Sequence, residues 1–383
     1  MHEHIPSCTR FNGYKPCFPG RLAGKTACAA CPDRREPGTA ILIVNLDAMG
    51  DVLMTTSQLP ALKRKYPEST ISWLTLGNAA PLLAGNPLID QVYVYGHESL
   101  SILGQLPFDL VVNVDKTRRS CAAAMSVTAD RRLGFGMNRL GQVVPLNEGA
   151  AYNYRLGLDD RLKFRENTKT RQEYVADTFE VEYRRDEYVF AFSEAERAFI
   201  ERYRASPGIA EDGWVIGFNT GCSLAFPNKK MTIAQQASLI ERFLADGRFA
   251  IVLVGGPEDE GRNAELAGLF PGQVVNTPTT DGVRRGACYE AIPDLIITGD
   301  SFGMHLAIAL KKQVIAWFGL SCHQEIDLYG RGVKLYPAGL ECSPCWKRDC
   351  PAGLECVSAI DLDRIFCETV GAFERQTLRR PLP

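Results

Sequence analysis

No run of apolar residues in this chain approaches the roughly 20 needed to span a bilayer. The N-terminus, MHEHIPSCTRFNGYKPC, lacks the apolar core of a secretory signal. Both absences predict a cytoplasmic protein, with peripheral contact at the inner face of a membrane left open. Charge of either sign is not in excess, the formal net charge being -2. The chain therefore has no global basic character to suggest nucleic-acid binding, and no acidic tail. Low-complexity tracts and short-period repeats are also missing. What remains is a globular composition, 45% hydrophobic and 23% charged, over 383 residues. That length exceeds one ordinary core and predicts two α/β lobes.

Cysteine is not scarce. There are 13, unevenly spread. Cys8, Cys17, Cys28 and Cys31 precede the first strand, and Cys342, Cys345, Cys350 and Cys356 fall near the end. In a reducing compartment such clusters suggest metal more than disulfides. Cys342-x-x-Cys345 with two later cysteines has spacing fit for tetrahedral zinc or iron, an iron–sulfur centre included. The leader pair Cys28-x-x-Cys31 is equally suggestive. The plain alternative is a set of incidental thiols. Any metal here is expected to be structural.

The segments AILIVNL, TISWLTL, QVYVYG and DLVVNVD read as strands, alternating with helices such as VLMTTSQLPALKRKY. Short continuous apolar runs are what parallel, doubly buried strands require. A second series starts at Trp214 with GWVIGFN, FAIVLVGG, DLIITGD and QVIAWFG. The stretch from about Gly134 to Arg204 is less regular. The expected division is a leader over 1–38, a first lobe over 39–200, a second over 205–355 and a terminal segment over 356–383. Lobes of this kind bind ligands at the carboxyl ends of their strands.

The candidate residues all fall at such ends. Asp51 lies where the first strand turns into a helix, as either a plain cap or an ionised base for a hydroxyl; Asp47 is a weaker competitor. Lys229, followed by Lys230, comes after a loop containing Thr220 and Ser223, and either binds a diphosphate or is solvated. Glu258 closes FAIVLVGG, where a carboxylate can meet ribose hydroxyls. Asp300, Ser301, Gly303 and His305 lie in DSFGMH, where a strand ends and a helix start offers free N–H groups to phosphate. Lys116, Arg118 and Arg119 follow DLVVNV and would greet an anionic acceptor.

Taken together, the segments ILIVNLDAMGDVLMTTSQLPALKRKYP, AGNPLIDQVYVY, DLVVNVDKTRRS, NKKMT, VLVGGPEDE and TGDSFGMHLAIALKKQVIAWFG resemble glycosyltransferase family nine, the ADP-heptose:lipopolysaccharide heptosyltransferases. The resemblance runs from about Ala40 to Glu368. It implies a GT-B fold, two Rossmann-like doubly wound lobes facing a cleft, with a final helix that crosses back to the first lobe. It also implies inverting transfer of a heptose from ADP-heptose to an anionic glycan or glycolipid of the lipopolysaccharide core. The general base then falls on Asp51, the phosphate lysine on Lys229, the nucleoside carboxylate on Glu258 and the donor-site pair on Asp300 and His305. No cofactor is implied for catalysis, and no strong Asp-x-Asp metal-nucleotide motif is present. Phe302 stands where the family pattern has glycine, with Gly303 after it, and Met231 replaces a common tryptophan. Two other readings are another nucleotide sugar or a protein acceptor on the same fold, and a non-catalytic metal-bearing scaffold.

Overall fold

The computed structural model describes residues 31–209 and 213–377, with 8–11, 13, 15, 17 and 28 of the leader. Two six-stranded sheets form two lobes. In the first, β1 (Ala40–Val44), β2 (Thr70–Thr75), β3 (Gln91–Val94), β4 (Phe108–Asn113), β5 (Ala129–Met137) and β6 (Val143–Pro145) lie in the order β3-β2-β1-β4-β5-β6. In the second, β7 (Trp214–Asn219), β8 (Phe249–Val254), β9 (Val274–Asn276), β10 (Leu295–Gly299), β11 (Gln313–Trp317) and β12 (Gly332–Leu335) lie as β12-β11-β10-β7-β8-β9. Each is the doubly wound dinucleotide-fold order, with a switch point at β1/β4 in one lobe and β7/β10 in the other. Every strand pair is parallel except β5–β6. The apolar runs are continuous for that reason: in β1 and β10 nearly every residue is closed off on both faces.

Six helices matter for the site. They are α1 (Met49–Thr55), α2 (Arg118–Ser126), α3 (Arg171–Phe179), α4 (Ile233–Asp246), α5 (Phe302–Ala309) and α6 (Leu362–Thr377). The long helix expected after β1 is broken: α1 passes through a 3-10 turn at Thr56–Gln58 before Leu59–Lys65 resumes. The Thr56 and Ser57 hydroxyls donate to the carbonyls of Leu53 and Met54, which offers the backbone an alternative to regular helix there. Capping boxes start α3 (Thr170 with Glu173) and α4 (Thr232 with Gln235).

The lobes are not separate bodies joined by a tether. One apolar cluster runs from Ile41, Val52 and Trp73 of the first lobe to Ile296, Met304 and Ala307 of the second. The extended stretch after α3 stitches the junction, with Arg185 paired to Asp327 and Glu187 to Arg331.

Two expectations are corrected. The helix Glu194–Arg204 belongs to the second lobe, because Phe199 and Tyr203 pack on Tyr289. The boundary therefore lies before it. The final helix α6 does not cross back. Its apolar face packs onto the second lobe, Phe366 on Phe243 and Phe373 on Trp214 and Phe249. Among the described residues no helix is long and apolar enough to cross a membrane.

Candidate active site between the lobes

The two switch points face each other through α1 and α5, whose N-terminal ends meet. A Cβ built on Gly50 would stand 2.6 Å from Cδ2 of His305, so glycine is what lets the helices approach. His305 is buried, and its Nδ1 is 3.1 Å from the Tyr188 hydroxyl. Burial first, then Arg171 and Lys229, hold its pKa below the usual histidine value against the pull of Asp300 and Asp51. The buried imidazole thus favours its neutral form.

The plain-cap reading of Asp51 is corrected: Ala48 holds the cap position, and Asp51 is the third residue of α1. Its Oδ2 accepts the Ala48 N–H at 3.3 Å, as a residue in a first helical turn does. Its Oδ1 lies 3.1 Å from the Arg171 guanidinium, which α3 brings over from the irregular middle of the chain. The loop bearing Asp51 hangs on Asp115 at the end of β4. The Asp115 carboxylate accepts from the Leu46 and Asp47 N–H groups and, at 2.7 Å, from the Asn45 amide. Burial, together with the nearby charge of Asp51, pushes the Asp115 pKa up to about 7 despite those donors.

The expected acceptor cations do not act as one patch. Lys116 folds its ammonium onto the carbonyl and side-chain oxygens of Asn153, at 2.9 and 2.8 Å. Arg119 is paired with Asp47, and Arg118 stands exposed in the first turn of α2. Arg171, Lys163 and the buried Glu325, unsuspected from sequence, face Lys116 instead.

In the second lobe Lys229 and Asp300 form an ion pair at 2.7 Å, with side chains only 13% and 12% exposed. Burial pushes the Asp300 carboxyl up, but its ion-pair partner Lys229 brings it below the ordinary value. Ser301 caps α5: its Oγ accepts from the Met304 N–H at 3.4 Å and from the Asn219 amide at 2.7 Å. Gly303 explains the departure at Phe302-Gly303. A Cβ there would fall 2.0 Å from Nδ2 of Asn219, so the small residue is needed at this position of the turn. Glu258 lies after β8 and accepts the Leu224 N–H at 3.1 Å. Thr220 requires a correction. It is fully buried with its hydroxyl donated to Asn263, so it has no hydroxyl to offer a donor.

The tail between Leu340 and Arg348 reaches this site, which the sequence did not suggest. Trp346 lies over the Lys229 ammonium. No disulfide forms among the described residues, and no three His, Cys, Asp or Glu side chains among them converge as a metal site. Accordingly, neither the leader set Cys8, Cys17, Cys28 and Cys31 nor the tail set Cys342, Cys345, Cys350 and Cys356 is drawn together as a complete site. In the tail, Cys342, Cys345 and Cys350 are close enough to Cys356 to help raise its pKa, which burial pushes up to about 11.

The glycosyltransferase family 9 (heptosyltransferase) profile matches residues 101–355. Lipooligosaccharide heptosyltransferase 2 of Haemophilus influenzae is 23% identical over 302 residues, 73% of this chain and 83% of that protein. Among solved structures, a glycosyl transferase family 9 protein from Veillonella parvula superposes with TM-score 0.72 at 19% identity, over 88% of this chain and 98% of its own. The ADP-heptose LPS heptosyltransferase II of E. coli superposes with TM-score 0.66 at 18% identity, over 88% and 100%. The fold is that of these two-lobed enzymes, and the chain belongs to glycosyltransferase family 9, the heptosyltransferase family.

Proposed function

We propose that the chain transfers a heptose from ADP-heptose to a saccharide of the lipopolysaccharide core, with inversion at the anomeric carbon. The observation that carries this reading is the meeting of the α1 and α5 N-terminal ends, Gly50 against His305, which brings Asp51 of one switch point toward the Lys229–Asp300 pair of the other. Asp51 takes the proton of an acceptor hydroxyl as its oxygen bonds to the anomeric carbon. The bond from that carbon to the diphosphate breaks, and ADP leaves with the electron pair. Lys229 and the α5 start at Ser301–Met304 meet the charge that develops on the leaving oxygen. Arg171 holds the Asp51 carboxylate in place, and with Lys116 and Lys163 it favours an anionic acceptor. Asp51→Ala should reduce transfer by at least about a thousandfold while the Kd for ADP stays within about twofold. Turnover near the wild-type rate would overturn the assignment of the base.

The tail thiols Cys342, Cys345, Cys350 and Cys356 fit a structural ion better than the leader does. The Cys350 sulfur already accepts two backbone N–H groups, from Ala352 at 3.4 Å and Leu354 at 3.3 Å. A bound cation would draw the four sulfurs together and fix the tail.

A further inference from the structure

One side chain of the tail stands between lysines of both lobes. The centroid of the Trp346 ring lies 4.0 Å from the Lys229 ammonium and 5.0 Å from that of Lys163. The first lysine comes from the second lobe and the other from the first. Phe226, in the loop leading to Lys229, meets the same indole edge-on at 5.2 Å. The backbone around Trp346 is tied down from several sides. The N–H groups of Cys345 and Trp346 both donate to the Leu320 carbonyl at 2.9 Å. The Asn228 amide, next to Lys229, donates to the Arg348 carbonyl at 2.6 Å. Arg165 of the first lobe donates to the Ser343 carbonyl at 2.8 Å.

Lysine is a point charge on a four-carbon stem with much rotamer freedom, so a lysine that must meet a diphosphate gains from being held before the ligand arrives. Asp300 holds Lys229, but it also cancels its charge. An indole face attracts the ammonium without neutralising it and without taking all of its N–H donors. We infer that Trp346 is a positioning residue for the transfer: it presets the Lys229 ammonium for the donor's diphosphate and couples it to Lys163 across the cleft. The inference rests on the reading above that Lys229 meets a diphosphate. It adds a residue from the tail, 117 positions away in the chain, that acts only through that lysine.

The test uses the full chain, with ADP and adenosine as probes in calorimetry and the nucleotide sugar in kinetics. Trp346→Leu should raise the Kd for ADP and the KM for the nucleotide sugar about tenfold, since a cation–π contact of this kind is worth that order. Adenosine affinity and the acceptor KM should stay within about twofold. Trp346→Phe keeps a ring face and should restore most of the loss. ADP should also change the tryptophan emission of the wild type and leave that of Trp346→Phe unchanged, a signature that stands even if the leucine variant does not fold. Unchanged ADP binding in Trp346→Leu, equal losses for ADP and adenosine, or an ADP-induced emission change that survives in Trp346→Phe would overturn the inference. Failure of the wild type itself to bind ADP would instead overturn the donor reading.

Discussion

His305 leaves no room for a side chain at position 50: a methyl carbon on Gly50 would lie 2.6 Å from its ring. The contact sits where the first helix of one lobe meets the donor-site helix of the other. It sets how near Asp51, one residue on, stands to the diphosphate side. Gly50→Ala gains up to about 1 kcal/mol of helix propensity, but overpacking a closed junction costs about 1–3 kcal/mol. The ring cannot simply swing away, because its Nδ1 is engaged by Tyr188. The variant should therefore unfold at a lower temperature by calorimetry. It should also lose more in kcat than in ADP affinity, since each lobe keeps its own pocket while their spacing changes. A variant as active and as stable as the wild type would show that the junction is slack.

Much of this was legible along the chain. Parallel strands buried on both faces must be apolar throughout, so AILIV, FAIVLV and LIITG announce themselves. Asp51, Asp300 and His305 follow such strands directly or open the next helix, and Lys229 lies in the loop between β7 and α4, where the switch-point rule looks for ligand-binding residues. Arg171 was not legible. It opens a helix in the least regular part of the chain, and nothing local says that its guanidinium turns toward Asp51. Thr220 misled because the residue after a strand is as readily turned inward as outward, and Asn263 was there to accept its hydroxyl. The amphipathic face of α6 was visible in its period. Which lobe it covers depends on Phe243, Phe249 and Trp214, which only the folded chain brings to it. Trp346 is the extreme case, its importance residing wholly in a lysine far away in sequence.

Asp115 makes stability depend on pH in a direction opposite to that of a salt-bridged carboxylate. Its folded pKa is about 7 against an ordinary 3.8, because burial outweighs the donors around it. The folded state thus holds a proton that the unfolded chain has released. The stability contributed is fully present below about pH 3.8 and is lost as pH rises toward 7, on the order of 4 kcal/mol across the window. Asp115→Asn abolishes that titration while costing an acceptor for the Leu46, Asp47 and Asn45 donors. The variant should be less stable than the wild type at pH 4, with a deficit that shrinks by pH 8. Thermal unfolding at a series of pH values measures this. A deficit that is constant or grows with pH would mean that Asp115 is ionised throughout.

The tail gives a test that does not pass through activity. If Cys342, Cys345, Cys350 and Cys356 hold a structural ion, protein purified without chelator should carry about one zinc or iron per chain. Cys342→Ser with Cys345→Ser should remove it, whereas Cys28→Ser with Cys31→Ser should not, because it is the tail thiols that lie near one another around Cys356. Ligand bound only by the folded state stabilises it by mass action, so chelation should lower the unfolding temperature of the wild type and leave the tail variant where it was. The physical reason lies in the tail's design. Its segment 340–350 has no regular strand or helix and is held by bonds to Leu320, Asn228 and Arg165. Without an ion to draw the four sulfurs together, that segment rests on those bonds alone. Metal-free protein that unfolds at the same temperature with and without added zinc or iron would show that the thiols pack as ordinary small apolar groups.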